Sequence, residues 1–193
     1  MNTSLSLEIY PLTADRWHDV EQLFGEHGAM GGCWCMWWRL SGKMYAANTG
    51  ENNKAAFKEI VEKGREPGLL AYLDRQPVGW VSVAPREEFA ARFNTRSPVF
   101  KPIDDQPVWS IVCFFIEQQH RHQGIAIHLL EAAVKYAADH GAETLEAIPV
   151  DTAAETAKDR SIYVGTEAMF RAAGFEVVVR RRPERPLMRK KLR

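Results

Sequence analysis

The residues most able to do chemistry form a short run, Arg121-His122-Gln123-Gly124-Ile125-Ala126. It lies between a buried apolar stretch and a long amphipathic segment, so it reads as a turn that opens a helix. The first backbone N–H groups of a helix have no internal partner and point outward at the positive end of the helix dipole. Such a terminus is suited to phosphate. Gly124 carries no Cβ to keep an oxygen away, and Ala126 is nearly as small. Arg121 adds a permanent cation, and His122 adds another when protonated. Two other phosphate signatures, Gly-x-x-x-x-Gly-Lys-Ser/Thr and Gly-x-Gly-x-x-Gly, are absent.

A second unusual run is Gly31-Gly32-Cys33-Trp34-Cys35-Met36-Trp37-Trp38-Arg39. Trp34, Trp37 and Trp38 have helical spacing, which suits a buried face. The same residues suit a pocket wall, with Trp34, Cys35, Trp37 and Trp38 offering apolar surface and Arg39 a charged end for a small amine or amino acid. A metal at Cys33-x-Cys35 lacks further ligands at recognisable spacing. No Cys-x-x-Cys is present, so the thiols are expected free, buried and not redox-active.

The elements that must position these runs follow from periodicity. Leu5–Tyr10 alternates as a strand. Thr13 is placed to cap a helix through Phe24, and residues 52–63 form another, stopped at Gly64. Gly68–Asp74 and Pro77–Val83 predict a hairpin, and residues 87–93 a helical turn. Residues 94–107 read as loop. Val108–Ile116 is nearly all apolar, as in a strand covered on both faces. Residues 124–140 predict the clearest helix, with Glu131 and Lys135 paired outside. A strand over residues 144–150 and a helix between Asp159 and Ala173 follow. Strands over residues 175–179 and 187–192 complete the chain. One central sheet with flanking helices, an α/β (α+β mixed) fold in a single domain over residues 1–193, is the expectation.

The stretch Ile116-x-x-x-x-Arg121-His122-Gln123-Gly124-Ile125-Ala126-x-x-Leu129-Leu130 resembles the acetyl-CoA signature of the GNAT superfamily of N-acetyltransferases. Phe170-Arg171-Ala172-Ala173-Gly174-Phe175 is similar to a second landmark of that family. The resemblance implies a central, mostly antiparallel sheet in which one parallel pair of strands splays apart. The pantetheine arm of acetyl-CoA would lie in the gap, paired with backbone near Phe115, Ile116 and Glu117. Its pyrophosphate would sit over Arg121, His122, Gln123, Gly124, Ile125 and Ala126, with no metal. An amine would attack the thioester directly. Where many members carry a tyrosine acid, this chain has Phe170, so either Tyr163 takes over the acid role from a neighbouring turn or water does. Glu117 is a candidate base, with Glu26, Glu87 and Glu88 as others. A small-molecule amine is the expected acceptor. A non-catalytic acetyl-CoA sensor and a protein or peptide N-acetyltransferase are the alternatives, and a homodimer is common among the proteins resembled.

Composition is ordinary for a globular chain of 193 residues, with 46% hydrophobic and 26% charged residues and no net charge. No strong attraction to nucleic acid or membrane follows. Residues 180–193 carry eight basic residues against Glu184 alone. A solvated edge strand is the expectation there, and an anion-binding or nucleic-acid patch is the alternative. Three cysteines and the lack of a secretory pattern at the start predict a reducing, cytoplasmic setting. No apolar run approaches the roughly 18 residues of a membrane helix.

Overall fold

The computed structural model describes residues 7–157 and 159–192. Leu5 and Ser6 of the expected first strand, and Arg193 of the basic segment, lie outside them. Seven strands form one sheet: β1 (Leu7–Pro11), β2 (Gly68–Leu73), β3 (Gln76–Pro85), β4 (Trp109–Ile116), β5 (Thr144–Ala147), β6 (Glu176–Arg182) and β7 (Arg185–Lys191). Their order is β1-β2-β3-β4-β5-β7-β6. Only β4 and β5 run parallel; every other neighbouring pair is antiparallel. The helices are α1 (Trp17–Phe24), α2 (Gly42–Ala47), α3 (Glu51–Glu62), α4 (Ala90–Phe93), α5 (Ile125–Asp139) and α6 (Glu167–Ala172).

α5 covers one face of the sheet because Ile125, Leu129, Leu130, Ala133 and Ala137 fall on one side of it. They pack on Val81, Val83, Ile111, Phe114 and Phe170. α1, α3 and the cysteine–tryptophan run cover the other face, where Phe24, Trp34, Phe57 and Trp80 meet. Each fully buried side chain of this size contributes about 1.5–3 kcal/mol.

Several boundaries differ from expectation for physical reasons. Thr13 caps no backbone group; its Oγ1 accepts from Arg16 at 2.8 Å, and a three-residue 3-10 turn precedes α1. α2 was not expected; Ser41 caps it by accepting from Met44 N at 3.4 Å. Residues 33–40 form successive turns rather than a helix, with φ of 44° at Trp34 and 57° at Cys35. Lys135 pairs with Asp139 at 2.5 Å rather than with Glu131. β5 ends at Ala147, because Val150 turns to pair with residues 165–167. The basic C-terminal segment is stapled inward. Arg180 bonds Glu167 and Asp151, Arg185 bonds the Ile148 carbonyl, Arg189 bonds Glu146 and Asp104, and Lys190 bonds the Ala173 carbonyl.

Gly68 fixes the spacing of the sheet against its covering layer. A Cβ there would lie 2.1 Å from the Val81 carbonyl oxygen and 2.7 Å from the Trp80 ring. Gly68→Ala is therefore expected to cost about 1–3 kcal/mol by overpacking, measured as a lower denaturant midpoint. An unchanged midpoint would contradict this packing.

Candidate functional site

The site begins where the sheet parts. β4 and β5 share three paired positions: Trp109 with Leu145, Ser110 with Glu146 and Ile111 with Ala147. Beyond Ile111, the β5-facing edge of β4 has no strand beside it. β4 also carries a bulge there, since Ser82 pairs with Cys113 and Val83 with Ile111, leaving Val112 as the extra residue. The bulge resets the alternation of side chains. Ile111 and Phe114 both pack toward α5, while Val112 and Cys113 both face the opposite layer. Phe115 faces that layer too, and Ile116 packs on the α5 side.

The turn from β4 into α5 leaves a row of donors. Among the described residues, the backbone N–H groups of His122, Gln123, Gly124, Ile125 and Ala126 donate to no protein oxygen. Side chains around them fold back: Arg121 Nε donates to the Ile116 carbonyl at 3.1 Å, and Gln123 Nε2 to the Gln119 carbonyl at 3.2 Å. His122 and Gly124 both have positive φ, 63° and 81°, which turns successive N–H groups toward a common side. Gly124 is the N-cap of α5, and a Cβ added to it would touch nothing. Its value is the left-handed conformation together with open space above it. This is the geometry that an anion cradle requires, and it lies at the end of the open β4 edge.

On the other side of β4 lies a pocket of about 180 Å³. Phe24, Trp37, Trp38, Trp80, Phe114 and Phe115 supply its apolar walls, with Cys33, Cys35, Cys113, Tyr45 and Tyr163 as its polar groups. Among the described residues, no aspartate or glutamate lines it. The hydroxyl of Tyr163 is pushed up to about 12, first by burial and then by Cys113 nearby. That of Tyr45 is pushed up to about 12 as well, again mainly by burial.

The residues singled out from the sequence fall into three groups. Cys35, Trp37, Trp38, Phe115 and Tyr163 meet in the pocket. Ile116 and residues 121–126 form the β4 end and the cradle. Trp34, Arg39 and Glu117 stand elsewhere. Trp34 is core, stacked on Trp17 with ring centroids 6.2 Å apart. Arg39 is committed to Glu88 at 2.5 Å, and Arg65 shares that carboxylate at 2.9 Å. Glu117 follows the last residue of β4, and its carboxylate is held by His120 Nδ1 at 2.8 Å. Phe170 is wholly buried between Phe114 and Phe175 and never reaches the pocket. Phe24, Tyr45, Trp80 and Cys113 are pocket residues that the sequence did not single out. For Cys113 the bulge hid the facing; for Tyr45 the helix that carries it was unread.

The acetyltransferase (GNAT) family matches residues 34–163, about two thirds of the chain and both halves of this site. The chain belongs to the GNAT family of acetyltransferases. Its fold agrees with that of solved relatives at low identity. An N-acetyltransferase from Staphylococcus aureus Mu50 superposes with a TM-score of 0.56 and 12% identity, covering 97% of this chain and 99% of that one. The PaiA N-acetyltransferase from Thermoplasma acidophilum, solved in complex with coenzyme A, gives 0.53 and 16% over 97% and 99% of the two chains. A protein from Corynebacterium glutamicum described as histone acetyltransferase HPA2 and related acetyltransferase gives 0.55 and 17% over 97% of each. No curated protein matches the sequence. Among the described residues, no helix is long and apolar enough to cross a membrane.

Gly124→Glu tests the cradle. The substitution adds a negative side chain where the row of donors faces, at a φ that L-residues adopt at some cost. Coenzyme A affinity, measured by calorimetry, should fall more than about tenfold, the scale of one lost charge-assisted contact. Unchanged affinity in a folded variant would refute the placement.

Proposed function

We propose that the protein transfers an acetyl group from acetyl-CoA to the primary amine of a small aromatic molecule. The observation that carries this reading is the juxtaposition across β4. An anion cradle and an open strand edge lie at one end, and an aromatic pocket free of carboxylates lies against the same strand. The cradle would hold the pyrophosphate through the N–H groups of residues 122–126, with Arg121 alongside. The unpaired edge beyond Ile111 would accept the pantetheine arm as a partial strand, and its N–H groups would be the donors for a developing oxyanion.

The pocket's lining supports the acceptor class. A protonated alkylamine would lose its hydration there without gaining a counter-charge, which is costly. An arylamine is already neutral at pH 7 and needs no strong base. The aromatic walls match its ring by stacking and edge contacts. Glu117 is engaged by His120 and does not line this pocket, so a water reached through the mouth is the better route for the amine proton. Tyr163 is the acid candidate. With its hydroxyl near 12 it stays protonated at any physiological pH. An ordinary thiol has a pKa of about 8.5, so full transfer to a free thiolate is uphill. Tyr163 therefore acts by donating a hydrogen bond to the departing sulfur while keeping its own proton.

Thiol release from acetyl-CoA, measured against a panel of arylamines, alkylamines, amino acids and peptides, tests this reading. Turnover is expected with arylamines first. Turnover only with peptides would favour a protein N-acetyltransferase, and binding of acetyl-CoA with no turnover on any amine would favour a sensor; either result overturns the proposal. Tyr163→Phe should lower kcat about 10²-fold with acetyl-CoA affinity unchanged. Trp37→Ala should raise the acceptor KM about tenfold, the loss of one aromatic wall, and leave acetyl-CoA KM in place. Equal effects on both substrates would contradict the assignment of that wall to the acceptor.

A further inference from the structure

The basic C-terminal hairpin contains one half-buried cation that the fold does not neutralise. On β6 and β7, Arg180 pairs with Asp151 and Glu167, and Arg189 pairs with Asp104 and Glu146. Arg185 lies between them in sequence and is half-buried, yet among the described residues no carboxylate pairs with it. Its Nη2 donates to the Ile148 carbonyl at 3.0 Å, and its Nε is buried with no acceptor. Burial pushes the guanidinium below its ordinary range. A buried charge without a counter-charge is costly, and a bound anion relieves that cost.

Arg185 lines a cavity of about 230 Å³ that opens to solvent. Val99, Phe100 and Val150 are its apolar walls, and the Arg185 guanidinium carbon lies 5.9 Å from the centre of the Phe100 ring. No residue lines both this cavity and the aromatic pocket beside β4. Phe100 of the one packs edge-on against Trp38 of the other, with ring centroids 5.3 Å apart. The cavity is therefore a separate space on the far side of a pair of rings.

Its walls are tied in place. Arg181 bonds the carbonyls of Pro98, Lys101 and Pro102, which fastens the loop carrying Val99 and Phe100 to β6. The Glu184 carbonyl accepts from Asp151 N at 3.0 Å, and its carboxylate accepts from Thr156 Oγ1 at 2.9 Å. These bonds fasten the chain after Val150 to the β6–β7 turn. The cavity thus exists before any ligand arrives, which lowers the ordering cost of binding.

We propose that this cavity is a second small-molecule site, and that it takes a monocarboxylate with an apolar body, such as an aryl carboxylate. Its volume suits one ring, since an apolar cavity of about 150 Å³ already admits benzene. Arg182 and Arg185 against Glu184 leave the lining one net positive charge, which matches a single carboxylate. The carboxylate would face Arg185, with the Ser97 hydroxyl as a further donor, and the ring would lie on Val99, Phe100 and Val150. A dianion such as phosphate would leave charge uncompensated beside Glu184. Guanidinium to carboxylate is the stronger, charge-assisted kind of hydrogen bond, so an uncharged amide of the same shape should bind less well.

The experiment titrates the full-length protein with benzoate, benzamide and inorganic phosphate by calorimetry, with coenzyme A present so that residues 122–126 are not competing for the anion. Benzoate is expected to bind about tenfold more tightly than either of the others. Crystals soaked in 4-iodobenzoate should show iodine, by its anomalous scattering, in the cavity at Phe100. Arg185→Gln should weaken benzoate about tenfold. Ser97→Leu, which fills the cavity and leaves the charge in place, should also weaken it and serves as the test should Arg185→Gln fail to fold. Equal affinity for benzoate and benzamide, tighter binding of phosphate, iodine confined to the aromatic pocket or to residues 122–126, or benzoate affinity unchanged in a folded Ser97→Leu variant would each overturn the site. Failure to bind coenzyme A would count against the proposed function alone, since the position of the iodine is read independently of it.

Discussion

The interaction on which the rest depends is one that stops. β4 and β5 stay paired through Ile111 and Ala147 and then separate. An unpaired strand edge inside a protein is costly unless something takes its hydrogen bonds. The chain makes the parting stable on the β5 side by giving Val150 new partners at Gly165 and Glu167. It leaves the β4 side open. The proposed anion cradle lies at the far end of that opening, and the aromatic pocket with Tyr163 lies against the same strand.

The charged residues of the C-terminal segment maintain the same parting. Glu146 on β5 is fully buried and is held by Arg189 at 2.8 Å, with Arg86 at 3.7 Å. Arg185 takes the Ile148 carbonyl where β5 leaves the sheet, and Asp151 N bonds the Glu184 carbonyl. A run of arginines that reads in sequence as a solvated edge therefore serves largely as a set of clamps. Removing one partner of such a buried pair strands a charge, which costs more than the pair contributes.

Much of this was legible from residues alone. α5 could be read because its apolar residues repeat at helical spacing and Gly124 marks its start. The helix start with its unpartnered N–H groups could be read because small residues coincide there, at Gly124 and Ala126. The pocket was only half legible. Trp37 and Trp38 were visible as wall residues, but Trp34 has the same type and spacing and went to the core, because positive φ at Trp34 and Cys35 broke the helical repeat. Arg39 looked free until Glu88, brought from another turn, neutralised it. Cys113 was hidden by a bulge, which reverses facing without leaving a mark in the sequence. Local periodicity reports local structure; pairings between distant segments are set by the packing of the whole sheet.

The central claim is that the open β4 edge and the donors of residues 122–126 together receive acetyl-CoA. Backbone hydrogen exchange, followed with and without coenzyme A, tests it most directly. The account predicts slowed exchange confined mainly to residues 112–116, which are paired with β3 but open on the β5 side, and to residues 122–126, whose N–H groups have no protein acceptor. Slowing elsewhere with these stretches unchanged would contradict it.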